Sequence, residues 1–287
     1  MQAIDADRAK VVVLYTTSSS RYRSQYEELN REYRGQVLFQ SEADFRSQVL
    51  ELLREASRSG TAGRGTAAVR APWRRGAHQG PDLSALHPHV LFLVDDALFV
   101  RPIRLAVAIQ ALDSCPQALG FSFRLGRNTR HCYVLGREQT LPRFESQAHS
   151  VLKFRWTDGD GDFAYPLELS SSLYRAPAMV SLCRKLRFRD PNTLESQMSL
   201  NARGFARDAP FLLCWEASAA FSAPINRVQA VFQNRVGERD EYSLERMGDT
   251  FDRGQRIDLA ALDGFVPSAC HQEIDLTYTE RRSQHAK

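Results

Sequence analysis

Two adjacent aspartates, Asp95 and Asp96, end an apolar run that occupies positions 90–94. An apolar run of this length predicts a β-strand that is buried on both faces of a sheet. Two carboxylates are costly to bury unless a cation meets them. Because Mg²⁺ and Mn²⁺ prefer oxygen ligands and often share them with phosphate, one interpretation is a divalent metal that holds a diphosphate. The alternative is that the aspartates only cap a turn or a helix.

Glu195 and His271 are two further side chains that could do chemistry. Glu195 lies just after Pro191, where a helix is predicted to begin, so it is either a partner of the helix dipole or a general base held toward a cleft. His271 lies in a tail that is predicted to be extended, and it is either a metal ligand or a surface histidine. A nucleophilic pair with the neighbouring Cys270 is not favoured, because adjacent side chains of an extended chain point apart.

An acidic turn occupies positions 158–162, with the sequence DGDGD. It begins like a calcium-binding EF-hand loop, but Phe163 and Leu169 stand where that loop needs glycine and glutamate. The sequence therefore predicts a hairpin turn that faces a substrate, or a turn with no further role. Glycine-rich nucleotide-binding loops and the Gly-x-Ser-x-Gly motif do not occur, which argues against a dinucleotide-dependent dehydrogenase, a P-loop enzyme and a serine hydrolase.

Four elements open the chain in the order strand, helix, strand, helix. Their predicted ranges are Lys10–Tyr15, Tyr22–Tyr33, Gln36–Gln40 and Phe45–Ala56. This order favours an α/β fold with parallel strands. Polar residues follow the first two strands, at 15–17 and 42–44, as the aspartates follow the third. Since the carboxyl ends of strands form the ligand crevice of open α/β sheets, these three groups are expected to line one site.

The second half of the chain has a less regular pattern. After a helix at 101–112, it predicts strands and helices separated by polar turns. The predicted strands are Ala118–Arg124, Tyr165–Tyr174 and Pro210–Trp215, and the predicted helices are Ala178–Leu186, a short helix from Asp190 and one from Asn226 to Gln233.

The composition is that of an ordinary globular protein, and 287 residues fit one domain spanning 1–287. Positions 57–80 carry five arginines and no acid, so the rest of the chain has a net charge of −1 against +4 for the whole. This Arg- and Gly-rich stretch is predicted to be a flexible insertion, and its isolated basicity argues against a nucleic-acid partner. The sequence has no apolar stretch of membrane-spanning length and no signal peptide, which predicts a cytoplasmic protein without a transmembrane segment.

Four stretches occur in an order that resembles a nucleotide-sugar glycosyltransferase of the GT-A fold, within a bacterial glycosyltransferase-like family. They are Phe92–Asp96, Gly161–Pro166, Asn192–Glu195 and Asn226–Gln229. The resemblance implies a single α/β domain with a Rossmann-like mixed central sheet flanked by helices. It also implies an inverting hexosyl transfer, with Mn²⁺ or Mg²⁺ as cofactor, from a nucleotide-diphosphate sugar to a hydroxyl of a carbohydrate or other acceptor.

The resemblance assigns roles to individual residues. Asp95 and Asp96 match the Asp-x-Asp motif that binds the metal and the ribose–diphosphate of the donor, although here the two carboxylates are adjacent. Because neighbouring strand residues face opposite ways, both can act only if the strand ends there and the backbone turns, with Asp96 on the metal and Asp95 on the ribose or a metal-bound water. Glu195 matches the catalytic carboxylate that takes the proton of the acceptor hydroxyl, and His271 matches a late metal ligand.

Six other positions match residues that line the pockets of such enzymes, ordinary loop polarity being the alternative for those at the nucleotide. They are Tyr15, Thr17, Glu42 and Asp44 at the nucleotide, and Asp162 and Tyr165 at the acceptor.

Two other classes of protein stay open. A nucleotidyltransferase uses a related sheet and metal-bound aspartates, but its usual glycine-rich loop is missing here. A non-catalytic nucleotide- or carbohydrate-binding protein would have the same fold without turnover.

Overall fold

A six-stranded mixed sheet organises this computed structural model, which describes residues 9–59, 89–224 and 240–281. The strands and helices up to the middle of the chain are β1 (Val11–Tyr15), α1 (Ser20–Glu32), β2 (Val37–Ser41), α2 (Phe45–Ser59), β3 (His89–Leu93), β4 (Ala97–Phe99), α3 (Leu105–Asp113), β5 (Ala118–Ser122), β6 (His131–Cys132) and β7 (Arg137–Glu138). Those that follow are β8 (Glu145–Ser146), β9 (Val151–Arg155), β10 (Ser171–Arg175), α4 (Ala176–Cys183), α5 (Pro191–Asn201), β11 (Phe211–Trp215), β12 (Ala220–Ser222), α6 (Leu244–Asp252), β13 (Gln255–Ile257) and β14 (Tyr278–Glu280).

The strand order of the central sheet is β3-β10-β5-β11-β9-β8. Within it β5 and β11 run parallel, while the other neighbours are antiparallel. The first two strands form a separate parallel pair, β1 with β2, in which Tyr15 lies opposite Ser41. The predicted α/β fold with a mixed sheet flanked by helices is therefore confirmed, and so is the parallel pairing at the start of the chain.

Helices cover both faces of the sheet because its strands alternate their apolar side chains. On β11, Leu212 and Cys214 pack with α2 and α4, whereas Leu213 packs with α3 on the opposite face. The helix α2 contributes the predicted spaced apolar side chains, with Phe45 and Val49 buried in the first of these clusters. A third cluster joins β4 and β12 to the C-terminal part of the chain.

The strand that precedes the aspartates is an edge strand whose residues are at most partly buried, with Val90 and Phe92 packed on one face of the sheet and Leu91 on the other. The prediction of burial on both faces is therefore confirmed only in part. Within residues 9–59, 89–224 and 240–281, the one neighbour of this strand in the central sheet is β10. Leu93 at its end is 44% exposed. An apolar run specifies a strand, but it does not specify how many neighbours the strand will have, since that depends on residues far away in the sequence.

Two other element predictions differ from the structure. The predicted strand Tyr165–Tyr174 is only β10 at its end, because a 3₁₀ turn at Gly161–Ala164 and the buried segment 166–170 precede it. The predicted helix at 101–112 begins later, at Leu105, after an extended segment. In both cases a segment of irregular backbone, at 161–170 and at 101–104, replaces part of the predicted element. The residue preferences of the local sequence do not specify such segments.

Some predictions fall on parts of the chain that lie outside the described residues. They are the helix from Asn226 to Gln233, the matching stretch Asn226–Gln229 and positions 60–80 of the predicted insertion. Positions 57–59 are helical, as the last turn of α2. Within the described residues, no helix combines the length and the apolar character that crossing a bilayer requires.

Candidate active site

The acidic pair lies in a tight turn between β3 and β4. The amide of Ala97 donates to the carbonyl of Val94 over 3.2 Å, so Asp95 and Asp96 occupy the two central positions of the turn. The strand thus ends and the backbone turns, which is the condition under which both carboxylates could act together. Asp95 is exposed, whereas Asp96 is partly buried.

Asp96 faces the interior beside Ser222. The strand β4 pairs with β12, and the amide of Ala223 donates to the carbonyl of Asp96 over 2.9 Å. Among the described residues, Oδ1 of Asp96 and Oγ of Ser222 are both buried without a hydrogen-bond partner of normal geometry. Burial, together with the charge of Asp95, raises the pKa of Asp96 to about 6, although the guanidinium of Arg124 opposes the shift.

Arg124 and Glu168 form a buried ion pair at the centre of the site. Their Nη2 and Oε2 atoms are 3.0 Å apart, and the two side chains are only 6% and 3% exposed. The carboxylate of Glu168 also accepts hydrogen bonds from the amides of Ser170 and Ser171 and from the hydroxyl of Ser172. These hydrogen bonds offset the cost of burying the carboxylate of Glu168, and the fixed carboxylate in turn holds Arg124 in place.

The sequence prediction missed Arg124 and Glu168. Both interrupt apolar stretches, as FRL at 123–125 and LEL at 167–169. A charged residue between two apolar neighbours was therefore the available signal. That signal does not show where the charge points, because the partner of each residue lies more than forty positions away along the chain.

Glu195 is placed by the start of helix α5. The side chain of Asp190 accepts the amide of Thr193 over 2.7 Å, and the hydroxyl of Thr193 accepts the amide of Asp190 over 3.1 Å, which together form a capping box. Glu195 follows one turn later, where its carboxylate interacts with the nearby side chain of Tyr165. Burial, together with the charge of Glu168, raises the pKa of Glu195 to about 7, although Arg124 opposes the shift.

Asp162 reaches the same centre from a 3₁₀ turn. The predicted hairpin is wrong, because the acidic segment forms two 3₁₀ turns, at Trp156–Asp158 and at Gly161–Ala164. The amide of Asp162 donates to Oε1 of Gln139 over 2.8 Å, while Oδ2 is buried without a partner among the described residues. Burial raises the pKa of Asp162, and Arg124 opposes the shift. Both predicted acceptor residues, Asp162 and Tyr165, therefore lie near Arg124.

His271 reaches the site from the C-terminal part of the chain. Its backbone forms a parallel bridge with Ser222, and its Nε2 lies 3.3 Å from Nη1 of Arg124. Its other ring nitrogen, Nδ1, is buried without a partner among the described residues. Burial and the nearby positive charge of Arg124 lower the pKa of His271 to about 3, so the ring is neutral.

The predicted nucleotide positions divide into two groups. Tyr15 stacks on Tyr26 with ring centroids 4.1 Å apart and an interplanar angle of 14°. Burial raises the pKa of Tyr26, and the charge of Asp95 raises it further, so the acidic turn lies near this aromatic pair. Thr17 is partly buried in the loop that follows β1. Tyr26 was not predicted, although it lies on the helix that this loop opens.

Glu42 and Asp44 lie after β2, and their contacts differ. Burial raises the pKa of Glu42, and the charge of Asp190 adds to this shift, which places Glu42 near the start of α5. Asp44 is exposed and caps α2, accepting the amide of Ser47 over 3.0 Å and its hydroxyl over 2.9 Å. Since both oxygens of Asp44 are used in the cap, its contacts support a structural role.

Several buried side-chain N and O atoms at this site lack a hydrogen-bond partner among the described residues. Such atoms are rare in folded proteins, and each one normally meets a water, an ion or a ligand. Among the described residues, those at the site are Asp96 Oδ1, Arg124 Nε, Asp162 Oδ2, Ser171 Oγ, Ser222 Oγ and His271 Nδ1. Their clustering indicates a polar ligand site.

Asp96 and His271 differ in how well they suit a divalent metal ion. Asp96 fits, because an unpartnered carboxylate oxygen in an acid-rich surrounding is a suitable ligand for Mn²⁺ or Mg²⁺. His271 does not fit in the arrangement seen, because Arg124 occupies its Nε2. Within residues 9–59, 89–224 and 240–281, no three side chains of His, Cys, Asp or Glu are grouped closely enough to hold an ion by themselves. The remaining ligands would have to come from a diphosphate and water.

Comparison with known proteins gives one relative of assigned activity. The chain is 24% identical over 246 residues to the bifunctional glycosyltransferase pgtA of Dictyostelium discoideum. The alignment covers 79% of this chain and 28% of that protein, so the chain spans less than a third of the relative's length. No protein-family model matches the chain, and no solved structure matches it significantly.

Proposed function

We propose that this chain is a metal-dependent, inverting glycosyltransferase that moves a sugar from a nucleotide-diphosphate sugar to an acceptor hydroxyl. The observation that carries the proposal is the convergence of Asp96, Asp162 and Glu195 around the buried Arg124. The similarity to a protein named as a glycosyltransferase supports the same class. A fold alone would not distinguish this activity from others, so the argument rests on the site.

Glu195 is suited to act as the general base. A carboxylate whose pKa is about 7 is both substantially ionised near neutral pH and basic enough to accept a proton from a hydroxyl in the transition state. The acceptor oxygen would form a bond to the anomeric carbon while its proton passes to Glu195. The bond between that carbon and the diphosphate oxygen would break, and the electron pair would leave with the diphosphate. Attack from the opposite side inverts the configuration.

The other residues would orient the two substrates. Tyr15 and Tyr26 present a stacked aromatic surface near Asp95, where the base and ribose of the donor could lie. The hydroxyl of Tyr165, which lies near Glu195, would donate to its carboxylate and so orient it. Asp162 would accept a hydrogen bond from an acceptor hydroxyl. Asp96 would hold the metal, which supplies positive charge for the departing diphosphate when it is bound.

The test of this proposal is a binding screen followed by an assay of one variant. UDP, GDP, ADP and CDP, and sugars carried on them, are screened by thermal shift and calorimetry with and without Mn²⁺. We expect Mn²⁺-dependent stabilisation by at least one nucleotide, because a ligand that binds the native state raises its melting temperature. With the sugar donor so identified, Glu195→Gln should keep nucleotide affinity and lose about 10²–10⁴-fold in transfer rate.

The matched control is Glu245→Gln, which makes the same chemical change on the exposed side of α6. It should leave both binding and transfer unchanged. Unchanged transfer by Glu195→Gln would show that Glu195 is not the general base. Nucleotide binding that is independent of Mn²⁺ would contradict the proposed metal dependence. The product separates sugar transfer, which releases a nucleoside diphosphate, from nucleotidyl transfer, which releases pyrophosphate.

A further inference from the structure

We propose that His271 is a neutral hydrogen-bond donor to an oxygen of the donor diphosphate, with its proton held on Nδ1 by Arg124, and that it is not a metal ligand. The identity of the ligand oxygen rests on the proposed function. The position of the proton does not, since it follows from the contacts of His271 within the protein. Arg124 is accordingly a positioning residue.

The contact between the two side chains fixes the tautomer. A guanidinium group carries only N–H donors and has no acceptor. At 3.3 Å from Nη1 of Arg124, Nε2 of His271 must therefore be the acceptor, with its lone pair directed at the arginine. A neutral imidazole has a single ring proton, so that proton lies on Nδ1.

This tautomer leaves no nitrogen free for a metal. Coordination requires a lone pair, and the lone pair on Nε2 is engaged by Arg124 while Nδ1 carries the proton. Moving the proton to Nε2 would free Nδ1, but it would place an imidazole N–H against a guanidinium N–H. Two donors would then face each other in a buried site, with neither of them satisfied.

The arginine cannot turn away easily to relieve this conflict. Its Nη2 is 3.0 Å from the carboxylate of Glu168, whose own position is fixed by the serines at 170–172. Removing one partner of a buried ion pair is strongly destabilising. Arg124 therefore holds the imidazole in one protonation state.

The proton on Nδ1 needs an acceptor that the described residues do not supply. Nδ1 is buried and lacks a hydrogen-bond partner among them. His271 is bridged to Ser222, and the hydroxyl of Ser222 lies near the carboxylate of Asp96. The unsatisfied donor is thus on the segment next to the proposed metal-binding carboxylate, where the oxygens of a diphosphate would lie.

The first experiment determines the tautomer directly. Long-range ¹H–¹⁵N correlation spectra of the full-length protein labelled at histidine distinguish a proton on Nδ1 from one on Nε2, and loss of the signals in His271→Asn assigns them. We expect the Nδ1–H pattern, unchanged when Mg²⁺ is added. A proton on Nε2, or a direct shift of the Nδ1 resonance typical of coordination, would overturn the proposal even if the enzyme proves to be a glycosyltransferase.

The second experiment separates metal affinity from diphosphate affinity. His271→Asn keeps an N–H donor close to the position of Nδ1, whereas His271→Ala has none. Binding of Mn²⁺ alone, measured by electron paramagnetic resonance, should stay within about twofold of wild type in both variants. Affinity for UDP, GDP, ADP or CDP at saturating Mn²⁺ should fall about tenfold or more in the alanine variant and much less in the asparagine variant, since hydrogen bonds to charged groups are the stronger ones.

His131→Ala is the control, because it removes a partly exposed histidine that pairs with Glu138 at the surface. A fall of tenfold or more in the affinity for Mn²⁺ alone in both His271 variants would show that the ring ligates the metal. If no nucleoside diphosphate binds to the wild type, the proposed function fails, while the spectra still decide the tautomer. Thermal unfolding of each variant shows whether it is folded.

Discussion

Among the described residues of the candidate site, four carboxylates surround the buried guanidinium of Arg124. Asp96, Asp162, Glu168 and Glu195 all act electrostatically on or with Arg124. Glu168 takes the direct ion pair with Arg124 and the hydrogen bonds of the three serines. Burial raises the pKa values of Asp96, Asp162 and Glu195, because it penalises their charged forms, and nearby negative charge adds to the shift for Asp96 and Glu195. Arg124 opposes all three shifts.

Replacing Glu195 should stabilise the protein at alkaline pH while it greatly slows transfer. The folded-state pKa of Glu195, about 7, exceeds the ordinary value of 4.5, so the native state binds the proton more tightly than the unfolded chain between these values. The contribution of Glu195 to stability is therefore complete below about pH 4.5 and is lost as the pH rises through 7. At pH 8 we expect Glu195→Gln to exceed the wild type by ~1–3 kcal/mol in free energy of unfolding.

Denaturant titrations at pH 5 and pH 8 measure this difference. The gain should be several-fold smaller at pH 5, where wild-type Glu195 is mostly protonated in the folded state. The control variant Glu245→Gln, which changes an exposed position of α6, should show no comparable gain at pH 8. An equal effect of Glu195→Gln at both pH values would show that the carboxyl has no raised pKa.

At the scale of elements, the side chains of the candidate site lie on turns, on the start of a helix and on an extended segment. The sheet and the helices hold these turns and segments in place. The turn after β3 carries the aspartates, the 3₁₀ turn at Gly161–Ala164 carries Asp162, and the first turns of α5 carry Glu195. Pro191 at the start of α5 has no amide hydrogen to satisfy and has its φ angle preset for a helix. The local sequence therefore fixes where α5 begins, and with it the position of Glu195 on the helix.

The cap of α5 should matter for both stability and activity. Asp190→Ala removes the acceptor for the amide of Thr193, and we expect a loss of ~1 kcal/mol in free energy of unfolding, within a range of about 0.5–2. Asp190→Asn keeps an oxygen acceptor and should lose much less. Because the first turn of α5 positions Glu195, the alanine variant should also transfer sugar more slowly, with little change in nucleotide affinity.

Chemical denaturation and amide hydrogen exchange in α5 provide the measurement. Asp208→Ala is the matched control, since Asp208 is exposed and pairs only weakly with its neighbour Arg207. Equal losses for Asp190→Ala and Asp208→Ala would contradict a specific role for the cap.

At the scale of the whole molecule, the C-terminal part of the chain docks on α1 through charge. One face of α1 presents Arg21, Gln25, Glu28 and Glu32, which are spaced four, three and four residues apart. Near the start of the helix, the side chain of Arg21 binds Asp249 and Asp252. Near its end, Glu28 and Glu32 bind Arg256 and Arg281.

A glycine permits this close docking. A β-carbon at Gly248 of α6 would lie 3.2 Å from the ring of Tyr22 on α1, closer than most such contacts. The same C-terminal part carries His271 to Arg124, so the docking on α1 and the completion of the site involve one segment of the chain.

Arg256→Met should loosen this docking while keeping an apolar side chain against Phe251, over whose ring the guanidinium lies at 3.8 Å. The ion pairs to Glu28 and Glu32 are only partly buried, so we expect a cost of ~1 kcal/mol rather than unfolding. Hydrogen exchange should accelerate in α1 and in β13 and β14, and added salt should reduce the difference from wild type.

Arg207→Met, at an arginine whose side chain is 92% exposed, is the control and should leave exchange unchanged. If exchange in α1 is unaltered by Arg256→Met, the ion pairs do not hold the C-terminal part in place.

Much of the site was accessible from the sequence because it depends on local chemistry. The alternation of strands and helices, the aspartate pair after an apolar run, and a glutamate after Asp190-Pro191 are all short-range patterns. The structure places Asp96, Glu195, Asp162, Tyr165 and His271 near one another around Arg124. Their roles in metal binding and transfer stay predictions. The hairpin at 158–162 was wrong, because a DGDG pattern specifies a turn without specifying its type.

By itself the sequence determined which elements form and which polar residues end them, since propensity, capping and apolar periodicity act over a few residues. Only the tertiary structure decided that β3 is an edge strand, that Arg124 pairs with Glu168, and that this arginine faces His271. The physical reason is that the energy of a buried charge depends on partners contributed by distant parts of the chain, and no local pattern specifies them.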